Sequence, residues 1–172
     1  ASQSQDNPGS LQVMFYNVEN FFDPFDDSLT EDDDFTPGGE NKWTYSRFME
    51  KAVKIAKVII ACGDTDLPAI VGLAEVENRF VLEKLITETP LSGLGYSIIH
   101  RDSPDRRGID VAMIYREELV KVDTFYYLPV IFDDSIERTR DILIVNAVLF
   151  QADTLTTVFN HWPSRYGGAA ST

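Results

Sequence analysis

The chain has 172 residues, of which 44% are hydrophobic and 12% aromatic, enough for the core of one globular domain or a large part of one. This composition excludes disorder over most of the length. The formal net charge of −13 argues against sequence-independent binding of nucleic acid through a basic face, and the single cysteine, Cys62, excludes an internal disulfide. No apolar run approaches the roughly 20 residues needed to cross a membrane.

The N-terminal part of the chain predicts a tail, a strand and a long acidic loop. Residues 1–10 are small and polar, lack the pattern of a signal peptide, and are expected to form a flexible tail. Residues 11–17 are rich in apolar and aromatic side chains and predict a strand. Residues 19–40 contain many carboxylates and no Lys or Arg, which indicates a surface loop.

Two helices are predicted on either side of a buried strand. Thr44 is the expected N-cap of the first helix and Gly63 its end. Residues 69–74 form a continuous apolar run, which predicts a strand buried on both faces and ending at Glu75. The second helix is expected to turn Val81, Leu82, Leu85 and Ile86 inward.

After Pro90 the pattern changes to a succession of strands. They are predicted over residues 96–100, 108–115, 120–128, 141–150 and 155–160. The order of elements indicates an α+β fold class, with helices on the outer face of a mixed sheet. We expect one domain over residues 11–168, followed by a flexible tail at residues 169–172.

The same assignments predict which side chains are buried. Because an unpaired buried carboxylate is costly, we expect Asp32, Asp33 and Asp34 to be exposed. The side chains expected to be mostly buried are Tyr45, Phe48, Ala52, Ile59, Ile70, Leu73, Val111, Met113, Ile142 and Ile144.

Polar side chains follow three of the predicted strands. Asn17 and Glu19 come at the end of the first strand, Glu75 ends the buried second strand, and His161 follows the last one. Strand ends deliver side chains to one edge of a sheet, and carboxylate and amide oxygens suit a hard cation such as Mg²⁺. The alternative is that Glu75 caps the next helix and His161 is a surface histidine.

Five motifs in a fixed order decide between these alternatives. They are Tyr16-Asn17-Val18-Glu19-Asn20, Gly72-Leu73-Ala74-Glu75-Val76-Glu77-Asn78, Arg107-Gly108-Ile109-Asp110-Val111-Ala112, Thr139-Arg140-Asp141-Ile142-Leu143 and Asn160-His161-Trp162-Pro163-Ser164-Arg165. Together they closely resemble the endonuclease/exonuclease/phosphatase superfamily, which includes deoxyribonuclease I and inositol-polyphosphate phosphatases. The likeness is closest to bacterial members of secreted or periplasmic type, and it spans residues 11–168.

The resemblance implies a fold and a set of roles. The fold is a portion of a four-layer α/β sandwich of the deoxyribonuclease I-like type, and the activity is metal-dependent hydrolysis of a phosphoester. By resemblance, Asn17, Glu75 and His161 are the catalytic residues, and Glu75 with Glu19 holds the metal. The expected ion is Mg²⁺ or Mn²⁺, with Ca²⁺ also compatible.

The resemblance also implies contacts to the substrate. Arg140 occupies the strand on which family members often present an arginine to phosphate, and Arg165 and Asn160 are expected to bind substrate as well. The substrate class is a nucleotide, a nucleic acid or a small phosphodiester.

Two motifs of the family are absent from the sequence. They are a Gly-Asp-Phe-Asn-like motif that orients the attacking water and a Ser-Asp-His-like motif that supplies a second histidine. We therefore expect the N-terminal portion of a domain, inactive alone, whose open sheet face is covered by the missing C-terminal half or by a second copy. The alternative function is a non-catalytic binding module on the same fold, with Ca²⁺ bound by the acidic loop.

Overall fold

The computed structural model describes residues 11–63, 66–131, 139–149 and 153–162, so the predicted tails at residues 1–10 and 169–172 lie outside the described residues. A short 3-10 helix at Asp33–Phe35 interrupts the acidic loop. The strands and helices of the described residues are β1 (Val13–Phe21), α1 (Tyr45–Cys62), β2 (Ile70–Val76), α2 (Arg79–Thr87), β3 (Tyr96–Ile99), β4 (Asp110–Arg116), β5 (Val120–Leu128), β6 (Ile142–Leu149) and β7 (Thr154–Phe159).

The strands form two sheets. Sheet A has the order β1-β2-β4-β3, with β1 parallel to β2 and the other pairs antiparallel. Sheet B has the order β5-β6-β7 and is antiparallel throughout. The α+β class and the helices on one face of a mixed sheet are therefore confirmed.

Two apolar cores hold the layers together. Helices α1 and α2 pack on one face of sheet A, where Phe48, Ile55 and Leu82 meet Leu73 and other side chains of the sheet. The opposite face of sheet A packs on sheet B. Strands β2 and β4 are consequently buried on both faces, which explains their continuous apolar runs.

Helix α1 follows the local signals in its sequence. The Thr44 hydroxyl accepts a hydrogen bond from the Arg47 N–H at 3.4 Å, and the helix ends at Gly63 as predicted. Its buried stripe recurs every three or four residues and faces sheet A. No helix in the described part of the chain is long and apolar enough to span a membrane.

The structure corrects four burial predictions. Tyr45 is 43% exposed, because it occupies the first turn of α1 at the rim of the helix–sheet core. Ile142 and Ile144 are only half-buried, because they point to the outer face of sheet B. Asp32 is buried, with 1% exposure, because the acidic loop folds back over it, whereas Asp33 and Asp34 are exposed as expected.

Candidate active site

Two irregularities at the end of sheet A create the site. Strands β1 and β2 pair regularly up to Asn17 opposite Ala74, and the next pair is Phe21 opposite Val76. Residues 18–20 thus bulge opposite the single residue Glu75, which also interrupts the pairing of β2 with β4. Three residues of these bulges have left-handed backbone angles: Glu19 (φ 54°), Asn20 (φ 55°) and Glu75 (φ 63°).

The bulges bring Asn17 and Glu75 into direct contact. The Asn17 Nδ2 donates to Glu75 Oε1 at 2.9 Å, and the Asn20 N–H donates to Glu75 Oε2 at 2.9 Å. The Asn17 Oδ1 in turn accepts the Glu19 N–H at 2.9 Å. Both side chains are therefore fixed at two atoms each, and they satisfy backbone donors that the bulge leaves without strand partners.

His161 completes the group from the other sheet. It follows Phe159, the last residue of β7, whose ring lies over Gly72 of β2 and stacks on Phe15 with the ring centroids 6.2 Å apart. The His161 Nε2 lies 3.4 Å from Glu75 Oε1 and 3.5 Å from Asn17 Nδ2. Three side chains from β1, β2 and the end of β7 thus converge on one point.

Burial and nearby charges shift the pKa values of both ionisable groups. Burial raises the pKa of Glu75, but the hydrogen bonds from Asn17 and Asn20 and the charges of His161 and Arg107 outweigh it, so the net shift is downward. Burial, with the positive charge of Arg140, lowers the pKa of His161. At neutral pH the site therefore holds a carboxylate beside an uncharged imidazole.

The structure also describes three more of the sequence-predicted residues, Arg140, Glu19 and Asn160. Arg140 is buried, with its Nε 3.3 Å from Asp105 Oδ2. Burial lowers its pKa, and the opposing charge of Asp105 does not cancel that shift. Glu19 reaches Asn17 through its backbone N–H. Asn160 is half-buried between Phe159 and His161.

Arg165 lies outside the described residues. Sequence reasoning missed the contributions of Asp105 and Arg107, whose charges act on His161. Arg107 begins the third of the five motifs, and that position is the signal that could have identified it.

A second group with metal-ligand side chains lies in the β3–β4 region. The His100 Nε2 lies 3.2 Å from Asp110 Oδ2, and its Nδ1 lies 3.9 Å from Asp102 Oδ1. Asp110 also accepts the Ser103 N–H at 2.9 Å. Only the Nε2–Asp110 contact is within hydrogen-bond distance, so the arrangement is that of a buried histidine paired with Asp110, which ties down the connection after β3.

Comparison with known proteins identifies the family of the chain. The family model "Endonuclease/Exonuclease/phosphatase family" matches residues 12–172. The chain therefore belongs to the endonuclease/exonuclease/phosphatase family, as the five motifs predicted. No curated protein matches the sequence.

Solved structures share the fold at low sequence identity. A conserved protein of unknown function from Enterococcus faecalis V583 is 12% identical with a TM-score of 0.53, and the match covers 87% of this chain and 52% of that one. The catalytic domain of human Nocturnin with bound sulfate is 15% identical with a TM-score of 0.51, and the match covers 68% of this chain and 44% of that one. A humanised D. rerio TDP2 is 14% identical with a TM-score of 0.50, and the match covers 86% of this chain and 45% of that one. The chain thus spans about half the length of these relatives.

Proposed function

We propose that this chain carries the metal- and phosphate-binding half of the active site of a Mg²⁺-dependent phosphoester hydrolase. The observation that carries the proposal is the approach of Asn17, Glu75 and His161 to within 3.5 Å of one another from separate strands. Membership in a family of nucleases and phosphatases supports the reaction class. The proposed substrate is a nucleotide, a nucleic acid or a small phosphodiester.

The environment of Glu75 fits a hard divalent cation. Each of its two oxygens accepts one hydrogen bond, which leaves a further lone pair on each oxygen for a metal ion. Mg²⁺, or Mn²⁺ in its place, commonly takes one or two carboxylates and keeps water or substrate phosphate as its other ligands. Glu75 would hold the cation, with Glu19 as the second carboxylate. The cation would neutralise charge on the phosphoryl oxygens.

The chain's own donors complete the proposed chemistry. The amide of Asn17 has two N–H groups, and only one is needed for its hydrogen bond to Glu75. The second N–H faces His161 Nε2 at 3.5 Å, a long contact, and we propose that it and an Nε2–H of His161 turn to phosphoryl oxygens in the transition state. Arg140, which is buried and paired with Asp105, would contribute positive electrostatic potential at the site. Asn160 and Arg165 are proposed to contact the substrate directly.

Exposed apolar side chains on both sheets support the proposal that the domain contains further chain. Phe15 is 53% exposed on the face of sheet A that otherwise packs on sheet B, and Val13 beside it is similarly open. Tyr126 and Val158 are exposed on the outer face of sheet B, which no helix covers within the described residues. We propose that further chain of the same domain covers both faces, since stable monomers rarely expose large apolar patches.

Metal titration tests the catalytic proposal. We expect Mg²⁺ or Mn²⁺ to bind the chain in calorimetric titration, and Glu75→Gln to abolish that binding by removing the ligand charge. The matched control is Glu40→Gln, an exposed carboxylate elsewhere, which should bind as the wild type does. Unchanged Mg²⁺ affinity in Glu75→Gln would show that Glu75 is not the ligand.

Hydrolysis of a phosphodiester tests the proposal that this chain carries only half of the active site. With Mg²⁺ and bis-p-nitrophenyl phosphate, we expect hydrolysis by the full-length protein and none by the 172-residue chain, because the water-orienting and second-histidine motifs are absent. Loss of one member of an interdependent catalytic set already costs orders of magnitude in rate. Comparable turnover by both proteins would refute the proposal that the site is divided.

A further inference from the structure

A groove opens between strand β1 and helix α1, next to the candidate active site. It has a volume of about 430 Å³, and we call it the β1–α1 groove. Side chains of both elements line it: Tyr16, Val18 and Glu19 of β1, and Arg47, Lys51 and Lys54 of α1. The buried side chains of Trp43 and Ile55 add apolar surface. A concave surface of this size, partly apolar with a few charged groups, is typical of a ligand site.

One residue is shared by the groove and the candidate active site. The Glu19 N–H donates to Asn17 Oδ1 at 2.9 Å, and the Lys51 Nζ donates to the Glu19 carbonyl. Two hydrogen bonds on the backbone of Glu19 therefore join Lys51 to Asn17, and Asn17 itself donates to Glu75. The groove is thus continuous with the place where we propose that the reacting phosphate binds.

Two cations of the groove lie against one aromatic ring. The Arg47 Cζ is 5.4 Å and the Lys51 Nζ 5.8 Å from the centroid of the Trp43 ring. The ring is fixed, because its indole N–H donates to the Phe22 carbonyl at 2.9 Å. Arg47 also donates to two backbone carbonyls of the loop that precedes α1. These contacts hold both positive charges in place before any ligand binds.

No carboxylate neutralises these two cations. Among the residues that the structure describes, neither Arg47 nor Lys51 forms an ion pair. The third cation of the groove, Lys54, is paired with Glu50 at 2.7 Å. Because the whole chain has a net charge of −13, two adjacent cations without a carboxylate partner form a local site for an anion on an otherwise acidic protein.

Both side chains also keep hydrogen-bond donors for an anion. The Lys51 ammonium has three N–H groups, of which one donates to Glu19, and the Arg47 guanidinium has five, of which only those on Nη1 contact the loop. Burial lowers the pKa of Lys51, although the charges of Glu19 and Glu75 oppose that shift. An anion bound beside Lys51 would favour the charged form, which burial disfavours.

We propose that the β1–α1 groove binds a second phosphate group of the substrate, next to the phosphate that is hydrolysed. Guanidinium and ammonium groups form strong, charge-assisted hydrogen bonds with phosphate oxygens, and the apolar lining suits the sugar or base that joins two phosphates. The substrate is therefore a nucleic-acid strand or a nucleotide with two or more phosphates, rather than a small phosphodiester. That this phosphate belongs to the substrate rests on the proposed hydrolase function, whereas anion binding by the groove does not.

One carboxylate of the groove opposes a bound phosphate. Glu19 forms no ion pair within the described part of the chain, so its charge repels an anion held by Lys51. We therefore expect Glu19→Gln to bind the anion several-fold more tightly than the wild type in the absence of metal, as removal of one exposed like charge predicts.

The test is the binding of fluorescein-labelled tetrathymidylate to the 172-residue chain, followed by fluorescence polarisation with chelator present. We expect Lys51→Gln to weaken binding about tenfold, the effect of losing one charge-assisted hydrogen bond. The slope of log affinity against log salt concentration should become shallower by about 0.7, as for one phosphate contact on a single strand. Lys57→Gln is the matched control, because Lys57 is an exposed lysine of the same helix outside the groove lining.

Two further variants and a competition experiment sharpen the result. Lys51→Arg keeps the charge and should bind better than Lys51→Gln, whereas Arg47→Gln removes the other cation and should weaken binding even if Lys51→Gln folds poorly. Thymidine 3′,5′-bisphosphate, which carries two phosphates, should displace the strand with an affinity that depends on Lys51. If only the strand shows that dependence, the second phosphate in the groove is that of a nucleic-acid strand rather than of a free nucleotide.

Three results would overturn the proposal. They are wild-type binding by both Lys51→Gln and Arg47→Gln, equal losses in Lys51→Gln and Lys57→Gln, and binding to the full-length protein that ignores Lys51 because further chain fills the groove. Failure of the hydrolase proposal is a separate outcome. Binding that depends on Lys51 in the presence of chelator would persist even if Glu75→Gln left the Mg²⁺ affinity unchanged.

Discussion

Replacing Gly72 by alanine tests how the two sheets position His161. Gly72 lies in the middle of β2 on the face that packs against sheet B, and the ring of Phe159 fills the space where a Cβ would be. A Cβ added to Gly72 would lie 2.2 Å from Cδ1 and Cε1 of Phe159 and 3.0 Å from Cδ2 of Phe15. These distances are far inside van der Waals contact, so Phe159 must move away from β2.

The expected cost follows from overpacking in a buried layer. Extra methyl groups in a well-packed core typically cost about 1–3 kcal/mol, and Gly72→Ala belongs at the upper end because a rigid ring opposes the new atom. Part of the stacking between Phe159 and Phe15, which is worth about 0.5–1.5 kcal/mol, is lost as well. Since His161 follows Phe159 by two residues, its contact with Glu75 should loosen too.

Urea unfolding of Gly72→Ala measures this cost. Gly38→Ala is the control, because an added Cβ there has no neighbour within 4 Å, and it should leave stability unchanged. Phe159→Leu, combined with Gly72→Ala, should be less destabilising than the sum of the two single changes because the smaller side chain makes room. Wild-type stability in Gly72→Ala, or strict additivity in the double variant, would refute the packing argument.

Two further changes probe a helix cap and a buried phenol. Asn78→Ala removes the side-chain oxygen that accepts the Val81 N–H at 3.2 Å, and it also removes the amide that donates to Asp23. Thermal or chemical denaturation should show that the free energy of unfolding is lower by about 1–2 kcal/mol. Burial raises the pKa of Tyr96, whose hydroxyl donates to the Pro68 carbonyl, to about 12. The protonated Tyr96 phenol contributes its full stabilisation below about pH 10, the pKa of an unfolded tyrosine. As the pH rises from about 10 to about 12, the free energy of unfolding should fall by about 2–3 kcal/mol. The Tyr96→Phe variant should not show this fall.

Elements governed by local signals could be predicted from the sequence. Helix α1 begins after Thr44 and ends before Gly63 because a side-chain cap and a helix-ending glycine determine those positions. Strand β2 was predicted to be buried on both faces because its apolar run is continuous, and layers on both sides of it explain the pattern. The family was identified from motifs at strand ends, where a few residue types recur in a fixed order.

Features determined by contacts between distant segments could not be predicted. The alternation of side chains in β1 gives no sign that the strand continues to Phe21, because the bulge at residues 18–20 exists only opposite Glu75. The burial of Asp32 was missed for a similar reason. Its acidic neighbours predict solvent exposure, and only the fold of the loop brings it near Glu77, 45 residues away in the sequence.

The irregular backbone and the candidate catalytic side chains depend on each other. Left-handed backbone at Glu19 and Glu75 is unfavourable for residues with a Cβ and persists only where the surroundings enforce it. Here the enforcing contacts come from the site itself, since Glu75 accepts the Asn20 N–H and Asn17 accepts the Glu19 N–H. Truncating either side chain therefore removes the proposed metal ligand or the proposed phosphate donor, and it also leaves a backbone donor of the bulge without its partner. A loss of activity in such variants has to be read together with their stability, because the same hydrogen bonds serve both.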